Sequence, residues 1–387
     1  MTTRLTSATI VLPDRILYDA SLTIEDDRIV EVGRRTVAGG RDLHGHVIVP
    51  GFIDVHVHGV EGMDALEGAD VISRLAARFP RFGVTAFCPT SIACVPSQLR
   101  AMLQGIRQAR ATPAAGAARV LPAHLESNFI SPDYKGAQPL RCLCTPNGRA
   151  EGDFSGHEIL AEIEASRPDV GIVTVAPEVD GVLGLIPELV RHGHRVSLGH
   201  SGATYDQAQA GIDAGARHAT HLFNRMTGLH HRDPGLVGAV LESDALAAEL
   251  VCDGVHVHPA AVRSALAAKG PGKIMAITDG TAAAGLPRGA TTTLGGRPIT
   301  VGDVARLEDG TIAGSVLTMD AAFRLLVQEM GVTLTDAAQM CSSTPARELG
   351  LYGHGVLTTG SVADFVVLDR DLRVVETYIS GRPVLQD

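Results

Sequence analysis

No stretch of this chain approaches the roughly 18 to 20 apolar residues that a membrane-spanning helix needs, and nowhere do lysines and arginines gather into a long block. The first absence leaves no candidate span. The second, with a formal charge of −10, argues against a sequence-independent nucleic-acid binder, because affinity for a phosphate backbone needs a basic surface; a local anion site stays compatible with it. Met1 to Ser7 lack the basic start, apolar run and cleavage site of a secretory leader, so the protein reads as cytoplasmic. Paired CxxC motifs are missing as well. Cys88, Cys94, Cys142, Cys144, Cys252 and Cys341 are scattered, which argues against a zinc ribbon or a disulfide framework and leaves the thiols as buried apolar residues. There is no tryptophan, internal repeat or low-complexity segment.

What is present is the composition of a compact α/β protein with many tight turns: 45% hydrophobic residues and 43 glycines in 387 positions, enough for a barrel of ordinary size and a minor domain. Short apolar runs separated by turn signals fill the first fifty residues, at Ala8 to Leu12, Ser21 to Glu25, Arg28 to Val32 and His46 to Val49. Asp364 to Leu368 and Val374 to Ile379 read the same way, with Gly381 in a turn. Neither end can build a core alone, so residues 1–50 and 350–387 are expected to combine into one small β-sandwich domain.

Residues 51–349 follow another rhythm, in which eight apolar runs alternate with helix-like segments: Phe52 to His58, Val84 to Thr90, Val120 to Glu126, Gly171 to Glu178, Arg195 to His200, His218 to Asn224, Ala247 to Asp253 and Ile274 to Asp279. Helical periodicity is clearest over Ala69 to Arg81, His157 to Ala165, Tyr205 to Ala214 and Ala260 to Lys269. A closed (β/α)8 barrel of the TIM type is the economical solution; an open doubly wound sheet is the alternative that pattern alone leaves.

Barrel enzymes carry reactive groups at the C-terminal ends of their strands. Here those ends hold His56 and His58, His124 and Glu126, His200, His221 and Asp279. Side chains alternate along a strand, so His56 and His58 face one way, as do His124 and Glu126. Imidazole with carboxylate suits zinc or another borderline first-row metal. Any one of the 16 histidines is more readily a packing residue, but a set at matching strand ends points to one metal site. Asp279 stands where it can take a proton from an activated water and return it to a leaving amine; its plain alternative is a turn cap before Gly280.

These residues carry a resemblance. The runs Pro50-Gly-Phe-Ile-Asp-Val-His-Val-His-Gly59, His124-Leu-Glu126, Gly199-His-Ser-Gly-Ala-Thr-Tyr-Asp206, His218-Ala-Thr-His-Leu-Phe-Asn224, Leu229-His-His-Arg-Asp-Pro-Gly235, Asp253-Gly-Val-His256, Thr278-Asp279 and Ala313-Gly-Ser315 resemble the N-acetylglucosamine-6-phosphate deacetylase family of the amidohydrolase superfamily, along essentially the whole chain. The opening run is shared across the superfamily, whereas the GHSxATYD, THLFN and LHHRxPG runs, in this order, are specific to the deacetylases. The resemblance implies that Glu126, His200 and His221 bind the principal divalent metal, expected to be zinc. With His56 and His58 both retained, it implies a second ion bridged by Glu126, so one or two per subunit. The fourth run offers no lysine for a carbamate bridge. Asp279 is the implied catalytic acid and base and is placed with the metal residues. Asn224, Arg232 and His256 are implied to hold the sugar phosphate, and Ala137, Arg225, Ile312, Ala313 and Gly314 to line the substrate site. A homodimer sharing substrate contacts is implied, with a phosphorylated amino sugar as substrate and neither nucleic acid nor membrane as partner.

Three departures stand out. The usual HLEGPF is His124-Leu-Glu-Ser-Asn-Phe129, the common histidine twelve residues past the glutamate is Gln138, and Arg225 replaces a small residue. Gln138 can donate a hydrogen bond to the substrate carbonyl oxygen but cannot become cationic. The changes touch substrate placement more than metal binding. The alternatives are an amidohydrolase for another N-acyl substrate, such as N-acetylgalactosamine 6-phosphate or an N-acyl amino acid, and a catalytically silent barrel that binds a sugar phosphate.

Overall fold

A computed structural model describes residues 2–34 and 39–384. Its eight expected runs are eight parallel strands, Phe52–Val57, Val84–Ser91, Ala123–Glu126, Val170–Val175, Arg195–Leu198, His218–Ala219, Ala247–Val251 and Ile274–Ile277, each paired with the next in chain order. A bridge between Val57 and Gly280 joins the eighth strand back to the first and closes the ring. Helices cover the outside, so the strands are buried on both faces and read as continuous apolar runs; all eight residues of the second strand are buried.

Most of these strands stop sooner than the apolar runs that announce them. The sixth was expected to reach Asn224 and pairs only at His218–Ala219, because the chain then turns through left-handed backbone at His221, Phe223 and Arg225. The fifth ends before His200 and the eighth before Asp279, both also at positive φ. The third is preceded by a separate piece, Arg119–Val120, interrupted at Pro122, which has no N–H to give to a ladder. The helix expected over Ala69 to Arg81 gives way after Arg78 to a 3-10 turn, Phe79–Phe82; Pro80 cannot donate, and the carbonyl of Ala76 accepts from Ala118 N instead.

The two ends of the chain form one eight-stranded sheet with a core of its own, including Leu5, Ile10, Leu22, Ile24, Ile48, Phe365 and Val367. Phe365–Leu368 pairs antiparallel with Val47–Pro50, the segment that leads directly into the first barrel strand. That pairing fixes the sheet beside the barrel.

A sheet over the barrel mouth was not foreseen. Between the eighth strand and the helix Met319–Gln328 lies a three-stranded antiparallel sheet, Thr291–Leu294, Arg297–Val301 and Ala305–Leu307. Its first turn is Gly295-Gly296, with φ of 58° and 79°, the positive values a two-residue hairpin loop of the primed type requires. It is pinned over the barrel mouth by Asp64 Oδ2, which accepts from Gly295 N at 2.6 Å, and by Arg297 Nη2, which donates to the Ala137 carbonyl. Among the described residues, no helix is long and apolar enough to cross a membrane.

Candidate active site

Four imidazoles and two carboxylates converge at the C-terminal mouth of the barrel. Glu126 Oε1 lies 2.9 Å from His200 Nε2 and 2.8 Å from His221 Nε2, and those two nitrogens are 3.0 Å apart. On the other side of Glu126, His56 Nε2 and His58 Nε2 are 3.3 Å apart, with Asp279 Oδ1 at 3.5 Å and 3.2 Å from them. Glu126 reaches this second group also, at 3.6 Å from each ring. The alternation expected of the HxH pair therefore holds.

The outer nitrogens decide what the inner ones can do. His58 Nδ1 meets the Thr90 carbonyl at 3.2 Å, His200 Nδ1 the Tyr134 carbonyl at 2.9 Å, and His56 Nδ1 the Glu249 carboxylate at 2.8 Å. A carbonyl oxygen only accepts, so the proton sits on Nδ1 and the Nε2 lone pair points inward. Lone pairs 3.0 to 3.3 Å apart repel unless a cation or a proton lies between them. The donor set, nitrogen and carboxylate oxygen without sulfur, fits a divalent metal in two groups sharing Glu126.

Protonation without metal follows the same logic. Burial opposes charge on His58, but the hydrogen bond to Asp279 and the charges of Glu126 and Asp279 outweigh it and lift the ring to about 9. His221 is likewise lifted to about 9, against burial, chiefly by its contact with Glu126. Burial wins at His56 and His124, which fall to about 3 and about 4. Burial also pushes Asp54 up to about 7 while it accepts from Thr278 Oγ1 at 2.6 Å. Raised histidines contribute stability that is complete below the unfolded value of about 6.5 and lost as pH rises through about 9; lowered ones contribute stability lost as pH falls below about 6.5. Chelator-treated protein should therefore melt at a lower temperature at pH 9 than at pH 6.5, and a Tm that stays level or climbs between them would contradict this account.

Three of these residues hold unusual backbone: His200, His221 and Asp279 have φ of 47°, 31° and 47°. Such conformations are disfavoured by about 1–3 kcal/mol each and persist where surrounding structure imposes them. Here they follow directly on strand ends and swing the side chains over the barrel mouth.

Above the cluster opens a cavity of about 450 Å³. His58, Glu126, His200, His221 and Asp279 form its floor, and Ala137, Gln138, Asn224, Arg225, His256, Ile312 and Gly314 its walls. Arg225 makes no ion pair or side-chain hydrogen bond among the described residues, which leaves a cation facing the cavity. His256 Nδ1 is held by Asp253 Oδ2 at 2.6 Å while its Nε2 has no protein partner. Asn224 Nδ2 donates to the His221 carbonyl at 3.2 Å. Two expected substrate residues are elsewhere: Ala313 is fully buried behind the wall, and Arg232 lies on an exposed loop outside the cavity lining, its Nη1 2.7 Å from His231 Nε2.

Two of the sequence departures, Gln138 and Asn128, are linked through the segments they join. Gln138 donates from Nε2 to Glu126 Oε2, and its Oε1 accepts from Ala93 N at 2.7 Å, which fixes the amide's orientation. Asn128 Nδ2 donates to the carbonyls of Cys94 and Cys142 at 2.8 and 2.7 Å, tying together the two segments that carry Ala93 and Gln138. Ser127 Oγ donates to the Thr174 carbonyl at 2.6 Å. His124, which shares a strand end with Glu126, lies beneath the cluster, against the Val55 carbonyl and Thr174 Oγ1 at 3.0 and 2.8 Å. Sequence reasoning passed over Glu249, whose signal was a lone carboxylate in the otherwise apolar strand Ala247–Val251.

Residues 47–384 match the amidohydrolase family. The chain is 40% identical to N-acetylgalactosamine-6-phosphate deacetylase of Escherichia coli O157:H7, over 87% of each. It is 35% identical to N-acetylglucosamine-6-phosphate deacetylase of Lysinibacillus sphaericus, over 93% of this chain and 92% of that one. Among solved structures, a variant of the Mycobacterium smegmatis N-acetyl-D-glucosamine-6-phosphate deacetylase in complex with N-acetyl-D-glucosamine-6-phosphate superposes with a TM-score of 0.90 at 35% identity, covering all of both chains. The Thermotoga maritima N-acetylglucosamine-6-phosphate deacetylase superposes with a TM-score of 0.87 at 33% identity, again over all of both. With its barrel, its strand-end cluster and these relatives taken together, the chain belongs to the N-acetylglucosamine-6-phosphate deacetylase family of amidohydrolases.

Proposed function

We propose that this chain hydrolyses the acetamide of N-acetylglucosamine 6-phosphate to glucosamine 6-phosphate and acetate. The observation that carries this reading is the placement of Asp279 and the two histidine–carboxylate groups at the floor of a cavity whose wall presents the uncommitted Arg225. The family implies a divalent metal. Our reading is zinc, with Glu126, His200 and His221 holding the principal ion and His56 and His58 a second beside the shared Glu126. Bound there, the metal supplies Lewis acidity toward the amide carbonyl and the attacking water.

The protein's own residues do the rest. Asp279 takes a proton from the attacking water as oxygen adds to the carbonyl carbon, then delivers it to the sugar nitrogen as the C–N bond breaks. One amide proton of Gln138 is committed to Glu126, leaving the other for the carbonyl oxygen as negative charge develops there. Arg225, His256 and Asn224 anchor the phosphate end, using distant binding energy to fix the acetamide over Asp279. Ala137, Ile312 and Gly314 shape the wall, and Ala313 supports it from behind. Arg232, exposed and outside its own chain's cavity, would reach the phosphate of a partner's site in a homodimer. Six free cysteines fit a cytoplasmic location, where thiols stay reduced.

The Escherichia coli relative favours a second reading, the 4-epimeric substrate N-acetylgalactosamine 6-phosphate. Acetate release by zinc-loaded protein should be measured with both sugar phosphates and with unphosphorylated N-acetylglucosamine. Turnover of N-acetylglucosamine 6-phosphate with little for the free sugar is expected. Preference for the galacto epimer would install the second reading, and silence on all three with metal bound would sink both.

A further inference from the structure

Glu249 lies midway along the seventh barrel strand, fully buried, beneath the histidine cluster and outside the cavity lining. Its strand neighbours are alanine, leucine and valine, so nothing about the packing calls for a carboxylate there. A buried carboxylate is retained against a desolvation penalty of several kcal/mol, and a leucine of similar size would fill the space at no such expense.

Its contacts run to both halves of the cluster. Oε2 accepts from His56 Nδ1 at 2.8 Å and lies 3.3 Å from the backbone N of His221. Oε1 has no hydrogen-bond partner; His124 Nδ1, 3.6 Å away, already gives its proton to the Val55 carbonyl. The carboxylate's hydrogen bonds therefore go to His56 and to the left-handed turn that carries His221, while His124 stands 3.6 Å from its free oxygen.

We infer that Glu249 is a positioning residue for the second divalent ion: it holds the proton of His56 on Nδ1, so that Nε2 faces the cluster, and adds the negative charge that retains an ion at His56 and His58. It touches neither substrate nor ion and acts through His56. This rests on the two-ion reading above. Outer carboxylate partners of metal-bound histidines typically change metal affinity 10–100-fold when removed.

The test is metal content after equilibration with zinc and dialysis, measured with the Tm of the metal-free protein for wild type, Glu249→Gln, Glu249→Leu, His56→Asn and the double variant His56→Asn with Glu249→Gln. Wild type should hold two ions per chain. Glu249→Gln, which can still accept from His56, should weaken the second by about 10-fold, and Glu249→Leu by about 100-fold. Metal-free Glu249→Gln should melt at or above the wild-type temperature, because burial opposes the charge that the substitution removes, while the acceptor for His56 is kept. The double variant should bind no less metal than His56→Asn alone. Wild-type retention of two ions in both Glu249 variants overturns the inference, and so does a fall in the metal-free Tm of Glu249→Gln that accompanies the loss of metal, which marks a structural role. One ion in the wild type overturns the two-ion reading itself and this inference with it, and it is recognised before any substitution is made.

Discussion

Asp279→Asn should lower kcat for acetate release by about 10³-fold, within the range general acid–base groups contribute, while zinc content stays at the wild-type level. The substitution is unusually clean here. Asparagine is nearly isosteric with aspartate and tolerates the left-handed backbone that position 279 adopts, with φ of 47°. The buried carboxylate is drawn below its ordinary range, against burial, by the hydrogen bond to His58 and the nearby His56 and His58 rings, so it is ionised and able to accept a proton throughout the neutral range. The amide cannot accept and return a proton. Measuring kcat and zinc together separates the two roles open to the residue: loss of zinc would make Asp279 chiefly a ligand, and unchanged kcat would remove it from the chemistry.

Glu126→Gln should have the wider effect, emptying both ion sites and lowering activity by well over 100-fold, beyond what loss of an outer partner produces. Glu126 is the only carboxylate among the described residues within 4 Å of all four inward-facing ring nitrogens: Oε1 serves His200 and His221, and the carboxylate also stands 3.6 Å from His56 and His58. Its other oxygen already accepts from Gln138. An amide at 126 would set its NH2 against either Gln138 or the ring nitrogens, and neither arrangement leaves two oxygens for ions. Zinc analysis of the purified variant checks this, and a variant that kept one ion with wild-type affinity would show that Glu126 does not bridge.

The barrel and most of its site were legible in the sequence because their signals are local. An HxH at a strand end reveals its geometry through side-chain alternation, and an apolar run flanked by helical periodicity reveals a buried parallel strand. The strand lengths were misread at His218 to Asn224 because apolar Leu222 and Phe223 continue the pattern while the backbone bends to aim His221. The sheet Thr291–Leu307 was missed because its strands are short and carry only a few buried apolar residues, Leu294, Ile299, Val301 and Ala305, with Gly295-Gly296 as its main cue. The roles of Glu249 and Asn128 were illegible for another reason: each is explained by partners elsewhere in the chain, His56 and His221 for one, Cys94 and Cys142 for the other. The sequence also gives no sign that Arg232 stands apart from the cavity that Arg225 faces.

The pairing of Phe365–Leu368 with Val47–Pro50 places a constraint on how the protein is made. On the order of 300 residues separate the two segments, and at a ribosomal rate of about 5–20 residues per second they emerge roughly 15–60 s apart. For that interval Ile48, Leu22 and Ile24 wait without Phe365 and Val367, the side chains that complete their core, and Val47–Pro50 offers an unpaired edge. Chain synthesis that stalls before residue 365 leaves a barrel whose first strand is tethered to a sticky half-sheet, and it is this nascent edge that a chaperone would have to shield.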